Sequence, residues 1–199
     1  DNPIEGQVWY DKTNEVLQYQ IPNLLASWRT GNNLNTARGY TASAGIQTAS
    51  ITFGGSPQVS ATPQLANTES YDGTTFSEVN DLNSARAVLA GAGTSTAGLA
   101  FGGTIFPAAP NGPVGFTETW NGSSWTEVGD LNSLRQALTG AGTTNTEALA
   151  YGGEGPSVPQ AAVTEQWNGS AWTEVADLNS GRRGIAGSGV YTAAIAVAG

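Results

Sequence analysis

One block of residues recurs along this chain and leaves few folds open to it. Thr117–Gly153 reads TETWNGSSWTEVGDLNSLRQALTGAGTTNTEALAYGG, and Thr68–Gly103 repeats it closely as TESYDGTTFSEVNDLNSARAVLAGAGTSTAGLAFGG. A third copy occupies Thr164–Gly199, and a worn one runs from Ser27 to Gly55. The register is tight. Trp28, Phe76, Trp125 and Trp172 are separated by 48, 49 and 47 residues, and the same intervals relate Leu34, Leu82, Leu131 and Leu178. They also relate Arg38, Arg86, Arg135 and Arg182, while glycine doublets recur at Gly54-Gly55, Gly102-Gly103 and Gly152-Gly153.

A period in the high forties, rich in short strands and glycine doublets, is that of propeller blades of four strands. Helical repeats need apolar stripes at a 3.6-residue period, and none is present. Each full unit divides into four strands, as in TETW (117–120), SWTEV (124–128), RQALTGAG (135–142) and EALAYGG (147–153). Asn121-Gly122 is a hairpin signal because both residues tolerate positive φ. A two-residue turn there predicts Glu118 opposite Trp125, with the same turn at Asp72-Gly73 and Asn168-Gly169. The Asn-Gly-Ser triplets also fit a glycosylation pattern, but the fold needs a turn at those positions. The Gly and Ala content of the third strand suits a strand crowded beside a central axis. The hairpin aromatics are then expected to pack between blades.

Counting strand pairs predicts how the ring closes. Inner pairs begin near Arg38, Arg86, Arg135 and Arg182, and outer pairs lie near 68–80, 117–129 and 164–176. The fourth outer pair falls to residues 15–30. The expectation is therefore an all-β protein: a small propeller of four blades of four antiparallel strands, closed by pairing N- and C-terminal strands in one blade. Its repeats run about 15–55, 56–103, 104–153 and 154–199. Residues 1–14 form an N-terminal arm or extra strand, with a strand at 7–10 and a turn at 11–14, and a second strand at 15–20 opens the repeat region. A piece of a longer array, or a ring completed by another subunit, is the competing expectation.

Composition removes several functions. The net charge is −9 and Lys12 is the single lysine, which argues against a nucleic-acid partner. Cysteine, histidine and methionine are absent, so zinc, copper and haem lose their usual ligands and no cofactor is expected. No apolar run reaches the length of a membrane span, so no membrane insertion is expected.

The charges that remain mostly follow the repeat. Glu69, Glu118 and Glu165 lie on hairpin strands, and Arg86, Arg135 and Arg182 open inner strands. One buried or half-buried ion pair per blade accounts for them better than a ligand-binding ring. Asp81, Asp130 and Asp177 bring one carboxylate per loop, thin for calcium and well suited to capping loop amides. Glycoside hydrolysis needs paired carboxylates. Glu147 and Glu154 break the repeat, but neither has a partner visible in the sequence, and no enzyme is expected.

What breaks the repeat is the connection after each glycine doublet: SPQVSATPQLA (56–66), TIFPAAPNGPVGF (104–116) and EGPSVPQAAV (154–163). Strand order puts these loops on one face with the Asp-Leu-Asn loops. Variable loops on a rigid scaffold are where recognition concentrates. The binding candidates are the Pro57-Gln58 step, Phe106, Asn111, Phe116 and Glu154.

The glycine doublets, the paired aromatics about five residues apart and the Arg opening each inner strand resemble kelch-type repeats, over about residues 15–199. The wording TETWNGSSWTEV, then DLNS and Arg, is similar to kelch-like repeats in bacteriophage virion proteins. GQVWYDKTNEVLQY (6–19) resembles short modules of phage tail and fibre proteins. The oxidases of the kelch superfamily use His, Cys and Tyr around copper, and this chain lacks the first two. The resemblance implies a non-enzymatic structural or recognition module, on a virion or extracellular. Its partners would be other copies of itself, virion or filament proteins, or a host-surface glycan. A self-assembling filament or surface-layer subunit, and a carbohydrate-active enzyme, are the alternatives.

Overall fold

The computed structural model describes residues 8–11, 16–19, 31–57, 64–106 and 112–199. Two compact units result, Asp1–Gly31 and Asn32–Gly199. In the first, β1 (Val8–Asp11) and β2 (Val16–Tyr19) pair antiparallel, with Val8 opposite Tyr19 and Asp11 opposite Val16. The strands overlap the expected 7–10 and 15–20, but Asp11 belongs to β1, where it stands opposite Val16, and not to the turn.

The second unit is built from the repeat. β3 (Ala42–Ile46), β4 (Ala49–Phe53), β5 (Thr68–Tyr71) and β6 (Phe76–Val79) form one four-stranded antiparallel sheet in chain order. β7 (Ala90–Gly93) and β8 (Gly98–Phe101) begin a second, and a short ribbon of β9 (Thr104–Ile105) and β10 (Gly112–Pro113) follows. β11 (Thr117–Trp120) and β12 (Trp125–Glu127) complete that second sheet. A third contains β13 (Thr139–Thr144), β14 (Glu147–Tyr151), β15 (Thr164–Trp167) and β16 (Trp172–Glu174). β17 (Ala186–Val190) and β18 (Ala193–Val197) pair with each other. The fold is all-β, and its four-stranded antiparallel sheets are propeller blades.

The expected fourth outer pair is not among the described pairings. β18 has β17 as its strand partner, and β2, inside the 15–30 segment, is paired with β1. Trp28 and the rest of residues 20–30 lie outside the described residues. The described strands thus comprise three complete blades and the inner pair of a fourth.

The hairpin register differs from the expectation. Trp120 stands opposite Trp125 and Glu118 opposite Glu127, so the loop is four residues, Asn121–Ser124. The reason is the Asn121 side chain. Its Oδ1 accepts the amides of Ser123 and Ser124 at 2.9 Å each, an Asx turn that leaves positive φ to Gly122 alone. The two aromatics then sit side by side, ring centroids 5.3 Å apart, and Trp167–Trp172 repeats the pair at 5.4 Å.

The inner strands follow one another round an axis: β3 packs beside β7, β7 beside β13 and β13 beside β17. Their smallness reflects crowding at the axis, where a Cβ on Gly91 would lie 2.8 Å from the Ser43 carbonyl oxygen of the neighbouring inner strand, and a second contact as well. A Cβ on Gly140 would lie 2.4 Å from Phe101 Cζ, and one on Gly91 would lie 2.8 Å from Phe53 Cζ. The last aromatic of each blade's second strand rests on the next blade's innermost strand, and that contact selects glycine. The glycine doublets have a second role. Both members take positive φ, and the second amide donates to the carbonyl of the next blade's arginine, as Gly103 does to Arg135 at 2.8 Å.

Candidate functional site: the loop face and its foundation

The repeated charges form the foundation. Arg38 Nη1 lies 2.5 Å from Glu69 Oε1, Arg86 Nη1 2.5 Å from Glu118 Oε1, and Arg135 Nη2 2.8 Å from Glu165 Oε1. All six side chains are sealed from solvent. Each carboxylate is also held by backbone: Glu118 accepts the amides of Asn83 and Ser84, and Glu165 those of Asn132 and Ser133. Burial pushes the Arg86 and Arg135 guanidiniums below their usual values, against the opposing pull of Glu118 and Glu165. Burial would raise the Glu69 carboxyl, but the Asn35 amide, Arg38 and the Thr36 amide outweigh it and hold the group below the ordinary range.

The fourth repeat differs. Arg182 donates to the Ala198 carbonyl and to Ser180 Oγ, with no carboxylate partner among the described residues. The expected ion pair is thus present in three repeats.

The aspartates act as caps. Asp81, Asp130 and Asp177 each accept the first amide of an outer strand, from Thr68, Thr117 and Thr164, at 3.0–3.1 Å. Among the described residues, no group of three acidic side chains is gathered as a metal site.

The loops rise from this base on the expected common face. Ser56, Thr104 and Glu154 bridge Gly39, Ala87 and Gln136, the residues just after each repeat's arginine. Val114 donates to Gly103, and Leu131 donates to Gly115, so each connection is tied to its Asp-Leu-Asn loop. Neighbouring loops also touch: the Phe106 amide donates to Gln64 Oε1 at 2.8 Å.

Phe106 is 46% exposed. Pro57 is exposed; Gln58 and Asn111 lie outside the described residues. Phe116 is half-buried at the foot of its loop. Glu154 is drawn into a cluster, paired with Arg183 and accepting Gln136 Nε2 at 2.5 Å. The Arg183 hydrogen bond, opposed by burial and helped by Gln136, holds its carboxyl below the usual range. Beside it, Ser133, Leu134, Pro156, Val158 and Ala161 line a mainly apolar cleft of about 300 Å³. Leu134 and Val158 are about half exposed.

Gln64, Leu134, Gln136, Val158 and Arg183 were not singled out from the sequence. Two of them carried a signal: Leu134 and Arg183 stand where the other repeats have small or neutral residues.

The repeat, the blade sheets and the inner-strand order define this chain as a kelch-type β-propeller in fold. No family model matches its sequence, and no curated protein matches it by sequence. By structure it is similar to YjhT, a kelch-repeat β-propeller protein, with a TM-score of 0.60 and 12% identity. The match covers 85% of this chain and 51% of YjhT, so the chain spans about half the length of that protein.

Proposed function

We propose that the chain is a non-enzymatic structural and recognition module of a virion appendage or extracellular assembly. Its post-doublet loops contact a host surface, a glycan or a neighbouring subunit. The observation that carries this reading is the division of labour between scaffold and loops. Three recurring Arg–Glu pairs are sealed inside the blades, whereas residues that break the repeat reach the surface: Phe106, Leu134 and Val158 are exposed, and Glu154, Arg183 and Gln136 form a cluster. An exposed ring and a shallow apolar cleft beside a charged cluster suit stacking on a sugar face or packing on a protein surface.

Glycoside hydrolysis draws less support. Glu154 is neutralised by Arg183 rather than set opposite a second carboxylate. The virion or extracellular location rests on the wording of the repeat and of residues 6–19. The filament or surface-layer reading draws on one observation: β18 is exposed and has no second strand partner among the described residues.

A glycan array with a hydrolysis read-out tests the proposal alongside capture of host envelope fractions. Binding without turnover is expected, weakened roughly tenfold in Phe106→Ser and in Val158→Ser. Turnover by the wild type that is abolished in Glu154→Gln sinks the non-enzymatic reading.

A further inference from the structure

The walls between blades repeat a single joint. Trp125 of the second blade donates its indole N–H to Thr68 Oγ1 of the first at 3.0 Å, and Trp172 of the third donates to Thr117 Oγ1 of the second at 3.0 Å. Trp125 rests on Phe53, ring centroids 4.8 Å apart, and shares a buried cluster with Ile51 and Leu82. Trp172 rests on Phe101 at 5.0 Å and shares one with Leu99 and Leu131. Each joint is therefore an indole slot made of one threonine, one aromatic and two aliphatics.

The third blade carries the same four positions as Thr164, Tyr151, Leu149 and Leu178. They line an open groove of about 190 Å³, closed on its far side by Ile195 and Ala196 of β18. Thr164 is 93% buried by its 7% exposure, yet its Oγ1 has no hydrogen-bond partner. Leu149 and Leu178 are half-buried where Ile51, Leu99, Leu82 and Leu131 are fully buried. Beside the groove, β18 has no second strand partner among the described residues, and Ile195 is 59% and Val197 51% exposed. Among the described residues Arg182 lacks the carboxylate that its counterparts have. Asn179 stands where Asn83 and Asn132 each donate to the carbonyl of the slot's tryptophan.

We propose that this groove, with Arg182 and the edge of β18, is a docking slot for a β-hairpin on a second polypeptide. That hairpin has this repeat's own pattern, a glutamate two residues before the first aromatic and a tryptophan opposite it. Its first strand adds to β18, as β15 adds to β14. Its carboxylate meets Arg182, and its second indole enters between Tyr151, Leu149 and Leu178 to reach Thr164 Oγ1. Main-chain pairing supplies adhesion and the indole slot supplies specificity, the usual division in strand addition. Charge complementarity favours this occupant, because one such hairpin satisfies together the buried oxygen of the groove and Arg182, a cation with no carboxylate partner among the described residues. The inference does not depend on what the loop face binds.

The test titrates the full chain with a cyclised peptide of sequence TEQWNGSAWTEV, the hairpin of residues 164–175. Saturable binding is expected. Replacing the second tryptophan of the peptide by phenylalanine, Trp172→Phe, weakens it at least roughly fivefold by removing one hydrogen bond and part of the buried ring. Glu165→Gln in the peptide weakens it about tenfold by removing the ion pair. Against a Thr164→Val chain the Trp172→Phe change costs less by the hydrogen bond, leaving only the loss of ring contact, and against Arg182→Gln the Glu165→Gln change is silent, which is the coupling a direct contact requires. Absence of binding overturns the proposal, and so do losses that simply add. If the Thr164→Val chain fails to fold, the two peptide substitutions on the wild-type chain still decide it.

Discussion

Arg86 and Arg182 occupy the same place in their repeats, yet Arg86 is sealed inside its blade and Arg182 is only half-buried. The two are preceded by nearly the same residues, NDLNSA and ADLNSG, and each opens onto a Gly- and Ala-rich inner strand. What differs is the outer hairpin. Arg86 lies under β11, which carries Glu118; Arg182 has only β17 and β18 beyond it among the described strands. Burial of this charge is thus decided by a strand that arrives more than 30 residues later in the chain, and not by the local sequence.

The largest expected effect sharpens that contrast. Arg86→Met removes one partner of a sealed pair and leaves Glu118 charged and buried, which should cost about 3–5 kcal/mol. Arg182→Met should cost well under about 1 kcal/mol, because its bonds go to a carbonyl and a hydroxyl that water can serve. Chemical denaturation of both variants checks the pair. Equal losses would mean that Arg182 is sealed in solution as Arg86 is.

Next in size are the threonines of the indole slots. Thr117→Val takes the acceptor from the Trp172 N–H and strands it in the interior, at a cost of about 1–3 kcal/mol. Thr164→Val should be neutral or slightly stabilising, because it replaces a buried hydroxyl that has no partner with a methyl of similar shape. Melting curves of the two variants should therefore move in different directions or by clearly different amounts. A loss in Thr164→Val equal to that in Thr117→Val would show a donor already on Thr164.

Much of this architecture was legible in the repeat. Four aromatics, four leucines and four arginines in one register announce a blade, and the glycine doublets mark where positive φ is required. The ion pairs were legible for the same reason: a charge recurring in every unit serves the unit. The hairpin register was not legible from Asn121-Gly122. The same dipeptide serves a two-residue turn or an Asx turn of four, and the Ser123 and Ser124 amides decide between them. The small inner strands follow from crowding at the axis, as the Ser43 carbonyl beside Gly91 shows; the Phe53 and Phe101 rings from the preceding blade add a contact that the repeat does not announce. The loop face was legible as a place but not as a constellation. Contacts such as Phe106 to Gln64 and Glu154 to Arg183 join residues 42 and 29 positions apart, and loop sequences carry no period from which to predict them.

The Asp-Leu-Asn caps are a smaller effect. Asp130→Ala removes the acceptor for the Thr117 amide at the head of β11, and about 1 kcal/mol should be lost. Asp177→Ala removes the equivalent bond to Thr164 but at the less enclosed end, so its loss should be the smaller of the two. Hydrogen exchange of the Thr117 and Thr164 amides reads the difference directly. Protection that falls equally in both variants would count against a graded enclosure from second blade to third.

The smallest effect separates a sealed carboxylate from one on the loop face. Glu69 and Glu154 are both held below the ordinary carboxylate value, so each contributes stability that is complete above that value near 4.5. For both, the contribution is lost as pH falls through the depressed folded value, because the unfolded chain then binds the proton first. Glu69→Gln should remove part of the acid limb of a stability-against-pH curve, since its partners are an arginine and two amides inside the blade. Glu154→Gln should move that limb by less than about 1 kcal/mol, because Arg183 across from it is 54% exposed and water and salt screen the pair. Salt distinguishes them further: raising ionic strength should shrink the Glu154 contribution and leave that of Glu69 nearly intact. A Glu154 contribution insensitive to salt would mean that the loop-face cluster is enclosed, and that the cleft beside it is a pocket rather than an open surface.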